Sequence, residues 1–309
     1  MVDTTTALRA LDDLRHRPDP GKRMRDSLFW EVVVPEEELG VQVYLYMTDR
    51  GRVGYNVVVW GAGPDPLALH LNSGRIADDV DLDRFEFDGL SLRQPKPLQS
   101  CGLSYHRDDV AIEYEFDGLH DAFSYRVNPD GLPAWFAENR MEQTGLVQGY
   151  VRVGDRRIEL NGPGHRDHSW GVRDWGAPQH WKWFVAYTPN GVAVNGWIWI
   201  AKGEWGFGGY VARDGVTVAV RSIDHRAEYD SQMRQQRLSA TLIDVAGGST
   251  NVELEAFGVV ELPSHDPMAT VIREAACRAT IDGEQGAGQF ETHWVGSYLE
   301  HLVQSGSFR

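Results

Sequence analysis

The apolar residues of this chain recur with a period of two, and this pattern limits the fold more than any other feature. Three early stretches, Leu28–Val34, Val41–Met47 and Val53–Trp60, are rich in β-branched and aromatic residues, and turn-forming residues separate them. The same pattern returns from His180 onward. Alternation of this kind is typical of antiparallel strands with one buried face. The sequence therefore predicts a mainly β protein.

Other fold classes are excluded by what the sequence lacks. Strands do not alternate with helices, and no P-loop, Gly-x-Gly-x-x-Gly fingerprint or nucleophile elbow occurs. We predict two tandem antiparallel β units, either barrels or curved sheets, in domains 1–160 and 161–309. Short helices are predicted over residues 4–16 and 298–303.

The stretch Gly162–Trp175 joins the two predicted units and carries two histidines, two arginines, two aspartates and two tryptophans. Its glycines and its proline favour irregular backbone, where binding and catalytic groups often lie. We interpret it as the functional centre of the chain. The alternative is a connecting loop whose charges pair with one another.

Composition and charge limit the partners. A net charge of −15 does not favour nucleic acids or anionic membranes. No apolar run is long enough for a membrane span, and the N-terminus does not resemble a secretory signal. Two isolated cysteines suit a reducing compartment. We therefore expect a cytoplasmic protein with a small apolar substrate, and a homodimer is left open.

The junction motif resembles that of a known family. Gly162-x-Gly-His-x-Asp-His-Ser-Trp-Gly171, with Glu142-Gln-x-Gly145 before it and Gly286-x-Gly-x-x-Glu291 after it, is similar to the carotenoid hydratase (hydroxyneurosporene synthase) and AttH-like group, particularly its actinobacterial relatives. The resemblance implies tandem lipocalin-like β domains with an apolar pocket. It also implies terpenoid, carotenoid or polyketide ligands, which members hydrate, cyclise or only bind.

Asp167 is the predicted proton donor, because a carboxyl group in an aromatic pocket has a raised pKa. Protonating an alkene creates a carbocation, which the faces of Trp170, Trp175, Trp181 and Trp183 could stabilise. His168 or His165 is the predicted base that activates water. The alternative is that Asp167 pairs with Arg166 or Arg173 and only holds the loop.

Further candidates lie on predicted strands. Trp181 and Trp183, like Trp197 and Trp199, have the i, i+2 spacing that puts each pair on one strand face. With Tyr187 they are predicted to bind the substrate or, alternatively, to form ordinary core. Glu142 and Glu291 are candidate second acids, although surface positions would also explain them.

We predict no metal, because His165, Asp167 and His168 match no familiar ligand spacing, and no other cofactor. The sequence thus favours a cofactor-independent lyase, a hydratase or dehydratase, or a related isomerase, acting on a terpenoid-like alkene or tertiary alcohol. A lipid carrier without chemistry and a cyclase that only preorganises its substrate are the alternatives.

Overall fold

The computed structural model describes residues 7–19, 21–49, 51–263 and 268–306. It consists of a curled antiparallel sheet followed by a closed antiparallel barrel, with one short α-helix at the C-terminal end. The prediction of a mainly β, lipocalin-like chain of two tandem units is confirmed. No helix in these ranges is long and apolar enough to cross a membrane.

The first sheet has eleven strands, which run in the order β4-β3-β2-β1-β11-β10-β8-β7-β6-β5, with β9 paired to β10. The strands are β1 (Arg25–Val34), β2 (Leu39–Thr48), β3 (Arg52–Trp60), β4 (Ala68–Arg75), β5 (Arg84–Phe87), β6 (Leu90–Lys96), β7 (Ser100–Arg107), β8 (Val110–Gly118), β9 (Phe123–Ser124), β10 (Asn139–Val153) and β11 (Arg156–Gly171). Strand β11 pairs with β1 on one side and with β10 on the other. Residues far apart in the chain therefore become neighbours at the centre of the sheet.

The second unit is a closed eight-stranded barrel in which each strand pairs with the next and the last pairs with the first. Its strands are β12 (Pro178–Tyr187), β13 (Ala193–Ala201), β14 (Glu204–Arg213), β15 (Val216–Tyr229), β16 (Gln235–Asp244), β17 (Ser249–Leu262), β18 (Val271–Ile281) and β19 (Glu284–Trp294). Closure gives each of these strands a hydrogen-bonded neighbour on both sides, although β14 and β15 pair only near their shared turn.

Three apolar layers follow from the alternation of side chains along the strands. One fills the concave side of the sheet, with Trp30 and Leu45 among its residues, and a second fills the barrel, with Phe184 and Leu254. The third layer contains residues of both units and therefore lies between them. The predicted ligand pocket is best sought in this layer, because the barrel interior is packed with its own side chains.

The helix predictions are partly confirmed. Helix α1 (Gly296–Ser305) contains the predicted span 298–303. Near the N-terminus, only Ala10–Asp13 form a short 3-10 helix, where the sequence predicts a helix over 4–16; residues 4–6 of that span lie outside the described residues.

The prediction of irregular backbone for Gly162–Trp175 is wrong for most of its length, because residues 162–171 continue strand β11. Gly164 and Gly171, but not Gly162, lie where a side chain would collide with neighbouring segments. A Cβ atom on Gly164 would lie 2.7 Å from the carbonyl oxygen of Glu31 and 2.6 Å from a methyl carbon of Val147. Glycine density thus marks a tight strand contact here, as it does in other sheets.

The last strand of the first sheet ends at Gly171, and the first strand of the barrel begins at Pro178. The junction motif therefore lies in the first sheet, although the sequence assigns it to the second domain. The division of the chain into folding domains at residue 160 stays a prediction.

Candidate active site

The candidate site is built on the face of the first sheet that meets the barrel. Register pairs Glu142 with Asp167 and Thr144 with His165, so these four side chains lie on one face of β10 and β11. Arg140, two residues before Glu142, shares that face. The strand pairing thereby gathers charged residues from two segments.

A cavity of about 590 Å³ separates this face from the barrel. The charged side chains in its lining are Arg25, Arg140, Asp167, Arg173, Glu274 and Glu291. Its aromatic lining includes Phe29, Tyr44, Tyr46, Phe136, Trp175 and Trp181. The volume suits a small organic molecule, and the lining is more polar than the sequence predicts.

Asp167 forms an ion pair with Arg140, whose Nη2 lies 2.7 Å from its Oδ2. The side chain of Asp167 is 11 % exposed, and that of Arg140 is 8 % exposed. Burial raises the pKa of Asp167 to about 6, against the opposing effect of Arg140. The carboxyl group is therefore mostly ionised at pH 7, and the arginine partner is not one of the two that the sequence suggests.

Glu142 lies behind this pair and is fully buried. Its Oε1 is 2.6 Å from Arg140 Nε, and Trp183 Nε1 donates a hydrogen bond of 3.1 Å to the same oxygen. Burial raises the pKa of Glu142 to about 7, although Arg140 acts to lower it. Since Glu142 does not line the cavity, its position suits orientation of Arg140 better than contact with a substrate.

His165 is also buried beneath the cavity. Burial lowers the pKa of His165 to about 3, so its ring is neutral. Its Nε2 lies 2.5 Å from Glu142 Oε2, and its Nδ1 lies 3.1 Å from the hydroxyl of Thr144, which also contacts Tyr210. The arrangement is satisfied when Nε2–H donates to Glu142 and Nδ1 accepts from Thr144. His165 thus links the barrel to the Arg140 cluster.

Glu274 and Glu291 form a carboxyl pair on the opposite wall of the cavity. They are directly paired on strands β18 and β19, and Trp181 Nε1 donates a hydrogen bond of 2.5 Å to Glu291 Oε1. Burial, reinforced by the charge of Glu291, raises the pKa of Glu274 well above its usual range. Burial also raises the pKa of Glu291, against the effects of Trp181 and Glu274. The pair therefore holds a proton at neutral pH.

His168 does not face this cavity. It alternates with Asp167 along β11, and its Nε2 lies 2.6 Å from Asp26 Oδ1 in a buried cluster on the other side of the sheet. Burial alone would lower the pKa of His168, but Asp26 raises it overall. Asp167 and His168 therefore lie on opposite faces of the sheet, and they cannot act as acid and base in one pocket as the sequence predicts.

The predicted substrate-binding aromatics separate in the same way. Trp175 and Trp181 line the cavity, whereas Trp170 stacks on His16 at 4.0 Å and lines a different recess. The others lie in the layer between the two units but not at the cavity surface: Trp183, Trp197, Trp199 and Tyr187. The i, i+2 pairs do share a strand face, as the spacing predicts.

Two further arginines reach the cavity without a carboxylate partner. Among the described residues, no Asp or Glu side chain lies within ion-pair distance of Arg25 or Arg173. Arg25 Nε donates to the Tyr44 hydroxyl at 3.0 Å, and Arg173 donates to Ser169 Oγ at 2.8 Å. Burial alone would raise the pKa of Tyr44, but Arg25 and Arg173 lower it overall.

The predicted metal-ligand trio cannot converge on one ion, because His165 and Asp167 lie on one face of β11 and His168 lies on the other. A different trio has its ligand atoms within 4.8 Å of one another: His16, Asp26 and His168. As it stands, the hydrogen bond between His168 and Asp26 holds this group together. The absence of a resident metal stays a prediction.

Sequence reasoning missed several residues that line the cavity. Arg140 precedes Glu142 by two residues, and this spacing alone places them on one strand face. Glu274 shares its strand face with Ile272 and Ala276, so an acid among apolar neighbours was the available signal. Nothing in the sequence indicates that Arg25 or Tyr44 approaches Arg173.

Comparisons with solved structures show related folds at low sequence identity. An AttH-like protein (NE1406) of Nitrosomonas europaea aligns with a TM-score of 0.61 and 14 % identity over 88 % of this chain and 92 % of its own. Kievitone hydratase of Nectria haematococca aligns with a TM-score of 0.59 and 10 % identity over 97 % and 96 %. CghA in complex with Sch210972 gives 0.55 and 14 % over 88 % and 87 %. These similarities establish the fold.

The fold of the AttH-like protein agrees with the resemblance predicted from the junction motif, whereas membership of the carotenoid hydratase group stays a prediction. A comparison with curated protein sequences found no match. Residues 9–296 match the domain of unknown function DUF7064. Since this match spans nearly the whole chain, the chain belongs to the DUF7064 family.

Proposed function

We propose that this member of the DUF7064 family is a cofactor-independent hydratase or dehydratase that acts on an alkene or tertiary alcohol of a terpenoid-like compound. The observation that carries the proposal is that the Asp167–Arg140 ion pair and the adjacent carboxyl groups of Glu274 and Glu291 line one aromatic cavity. A fold similar to that of kievitone hydratase supports it. General acid–base chemistry needs one group that donates a proton and another that accepts one.

The proton donor is the Glu274–Glu291 pair. Both carboxyl groups line the cavity; Glu291 is the half-buried member and transfers the proton, whereas Glu274 is only 1 % exposed and shares that proton with it. In the hydration direction, the pair transfers its proton to one alkene carbon. The π bond breaks, a C–H bond forms, and the neighbouring carbon becomes a carbocation.

The carbocation is stabilised by the ring face of Trp181 and by the carboxylates that flank it. Aromatic rings attract cations through their quadrupole, and this attraction strengthens where water is excluded. Asp167 stays ionised beside Arg140 and accepts a proton from the water that attacks the cation. The C–O bond forms, the product is a tertiary alcohol, and the proton on Asp167 returns to the carboxyl pair through solvent. Dehydration is the reverse sequence.

Turnover in D₂O tests the proposal. Wild-type protein supplied with a trisubstituted alkene such as farnesol should form a tertiary alcohol that carries deuterium on the adjacent carbon, because the carboxyl pair exchanges its proton with solvent. A carrier would bind the alkene and return it unlabelled. A cyclase that only folds its substrate would form a new ring without solvent deuterium. Either of these results would contradict the hydratase proposal.

The pH dependence of kcat/KM should be bell-shaped. Activity requires Asp167 to be ionised, so it should rise as the pH increases through about 6. Activity also requires a proton on the Glu274–Glu291 pair, so it should fall at the higher pH at which that proton is lost. A steady-state profile between pH 4.5 and 9.5 measures both limbs. A profile that stays flat between pH 5 and 7 would remove Asp167 from this role.

A further inference from the structure

Among the described residues, the cavity lining contains as many arginines as acids, although two of the acids share a proton. The three arginines are Arg25, Arg140 and Arg173. Against them stand the Asp167 carboxylate and the Glu274–Glu291 pair, which carries about one negative charge when the two groups share one proton. The described lining residues therefore carry an excess of about one positive charge at neutral pH, which the buried Glu142 behind Arg140 reduces to the extent that it is ionised.

The excess lies at one end of the cavity. Arg140 is paired with Asp167 and Glu142, whereas Arg25 and Arg173 have only neutral acceptors. Both of these guanidinium groups lie beside the same ring, at 5.9 and 5.2 Å from the centre of Trp175. Burial and repulsion from Arg25 and Arg140 lower the pKa of Arg173 to about 10, although the Tyr44 phenol and the Asp167 carboxylate act to raise it. Two buried cations that lie together without a bonded carboxylate are costly unless a ligand pairs with them.

We propose that Arg25 and Arg173 form a subsite for a carboxylate of the substrate, with Trp175 beneath it. This inference rests on the proposed function and makes the substrate a terpenoid-like acid. A guanidinium group presents a planar fork of N–H donors that matches a carboxylate. The hydrocarbon part of such an acid then extends along Phe29, Phe136 and Trp181 towards Glu291.

The subsite also serves the chemistry. A carbocation formed in a cavity with unbalanced positive charge is destabilised by repulsion, which is strong where water is excluded. A bound carboxylate neutralises the excess before the alkene is protonated. It also fixes the end of the chain, so that one alkene lies against the carboxyl pair.

Calorimetric binding at pH 7.5 tests the subsite without turnover. Farnesoic acid is ionised at this pH, and its methyl ester and farnesol have similar hydrocarbon chains without the charge. The wild-type protein should bind the acid about 10- to 100-fold more tightly than either neutral compound, the usual range for charge-assisted hydrogen bonds. Equal binding of acid and ester, or failure of the acid to bind, overturns the proposal.

Variants identify the groups responsible. Arg25→Met and Arg173→Met should each lose most of the preference for the acid, while affinity for the ester stays within about twofold. Arg173→Lys keeps the charge and should retain part of the preference, which makes the test independent of any folding defect in Arg173→Met. Arg221→Gln, an exposed position on the barrel, is the control. If both Met variants keep the full preference for the acid over the ester, Arg25 and Arg173 do not form a carboxylate subsite.

The outcomes separate this inference from the proposed reaction. Preference for farnesoic acid without deuterium incorporation would retain the subsite and reject the hydratase. Deuterium incorporation into farnesol with no preference for the acid would retain the hydratase and reject the subsite.

Discussion

Replacing Glu291 by glutamine is expected to lower turnover by about 10² to 10⁴, the usual contribution of a general acid. The amide keeps the size of the side chain and still offers an oxygen to the indole N–H of Trp181, but it cannot deliver a proton. Glu274→Gln should have a smaller effect, because Glu291 remains at the cavity surface and the new amide can still form a hydrogen bond to its carboxyl group. Single-turnover measurements in D₂O are the appropriate assay.

The control for this prediction is Glu253→Gln, which changes an exposed glutamate on the same barrel and should leave turnover unchanged. Thermal unfolding of each variant separates a loss of chemistry from a loss of fold. If Glu291→Gln incorporates deuterium at the wild-type rate, the carboxyl pair is not the donor. The search would then move to Asp167, the donor that the sequence suggests.

Asp167→Asn is expected to reduce turnover by a similar factor of about 10² to 10⁴, because the amide cannot accept the proton of the attacking water. Affinity for the substrate should change little, since the amide fills the same space. The acidic limb of the pH profile should also disappear, because the group that titrates near pH 6 is gone. Binding by calorimetry and kcat/KM as a function of pH check these two expectations.

Chemical rescue by a small carboxylate tests more directly whether Asp167 acts as the base. Formate should restore part of the turnover of Asp167→Ala, because it can occupy the vacated space beside Arg140. Formate should not restore the turnover of Glu291→Ala, because the described residues place no arginine within ion-pair distance of Glu291 that could hold the formate there. Asp174→Asn, at an exposed neighbouring position, is the control. Equal rescue of both variants, or a wild-type rate for Asp167→Asn, would contradict the assignment.

The sequence predicts the candidate acids better than it predicts their roles. Asp167 stands out within the junction motif and Glu291 as an acid in a half-buried strand pattern, and both line the cavity. Their protonation depends on partners that the sequence does not identify. Asp167 is paired with Arg140, and Glu274 lies beside Glu291, so we propose Asp167 as the base, whereas the sequence suggests Asp167 as the donor and His168 or His165 as the base.

The separation of His168 and Trp170 from the cavity has a local cause. Glycine and proline led to an interpretation of residues 162–175 as a loop, in which neighbouring side chains can converge. The segment is largely a strand, where neighbours point to opposite faces. Alternation therefore sends Asp167 towards the barrel and His168 towards Asp26 in a separate buried layer.

On its own, the sequence determined only local features. These are the period of two, the Gly154-Asp155 turn between β10 and β11, the C-terminal helix, and the placement of Trp181 and Trp183 on the same face of one strand. Such features depend on residues within one or two turns of the chain. Tertiary structure alone decided that Glu274 lies beside Glu291, that Arg25 approaches Arg173, and that the cavity lies between the two units. The physical reason is that strand register and the packing of one β layer on another join residues far apart in the chain. Those contacts set the charge and proton state of every group in the site.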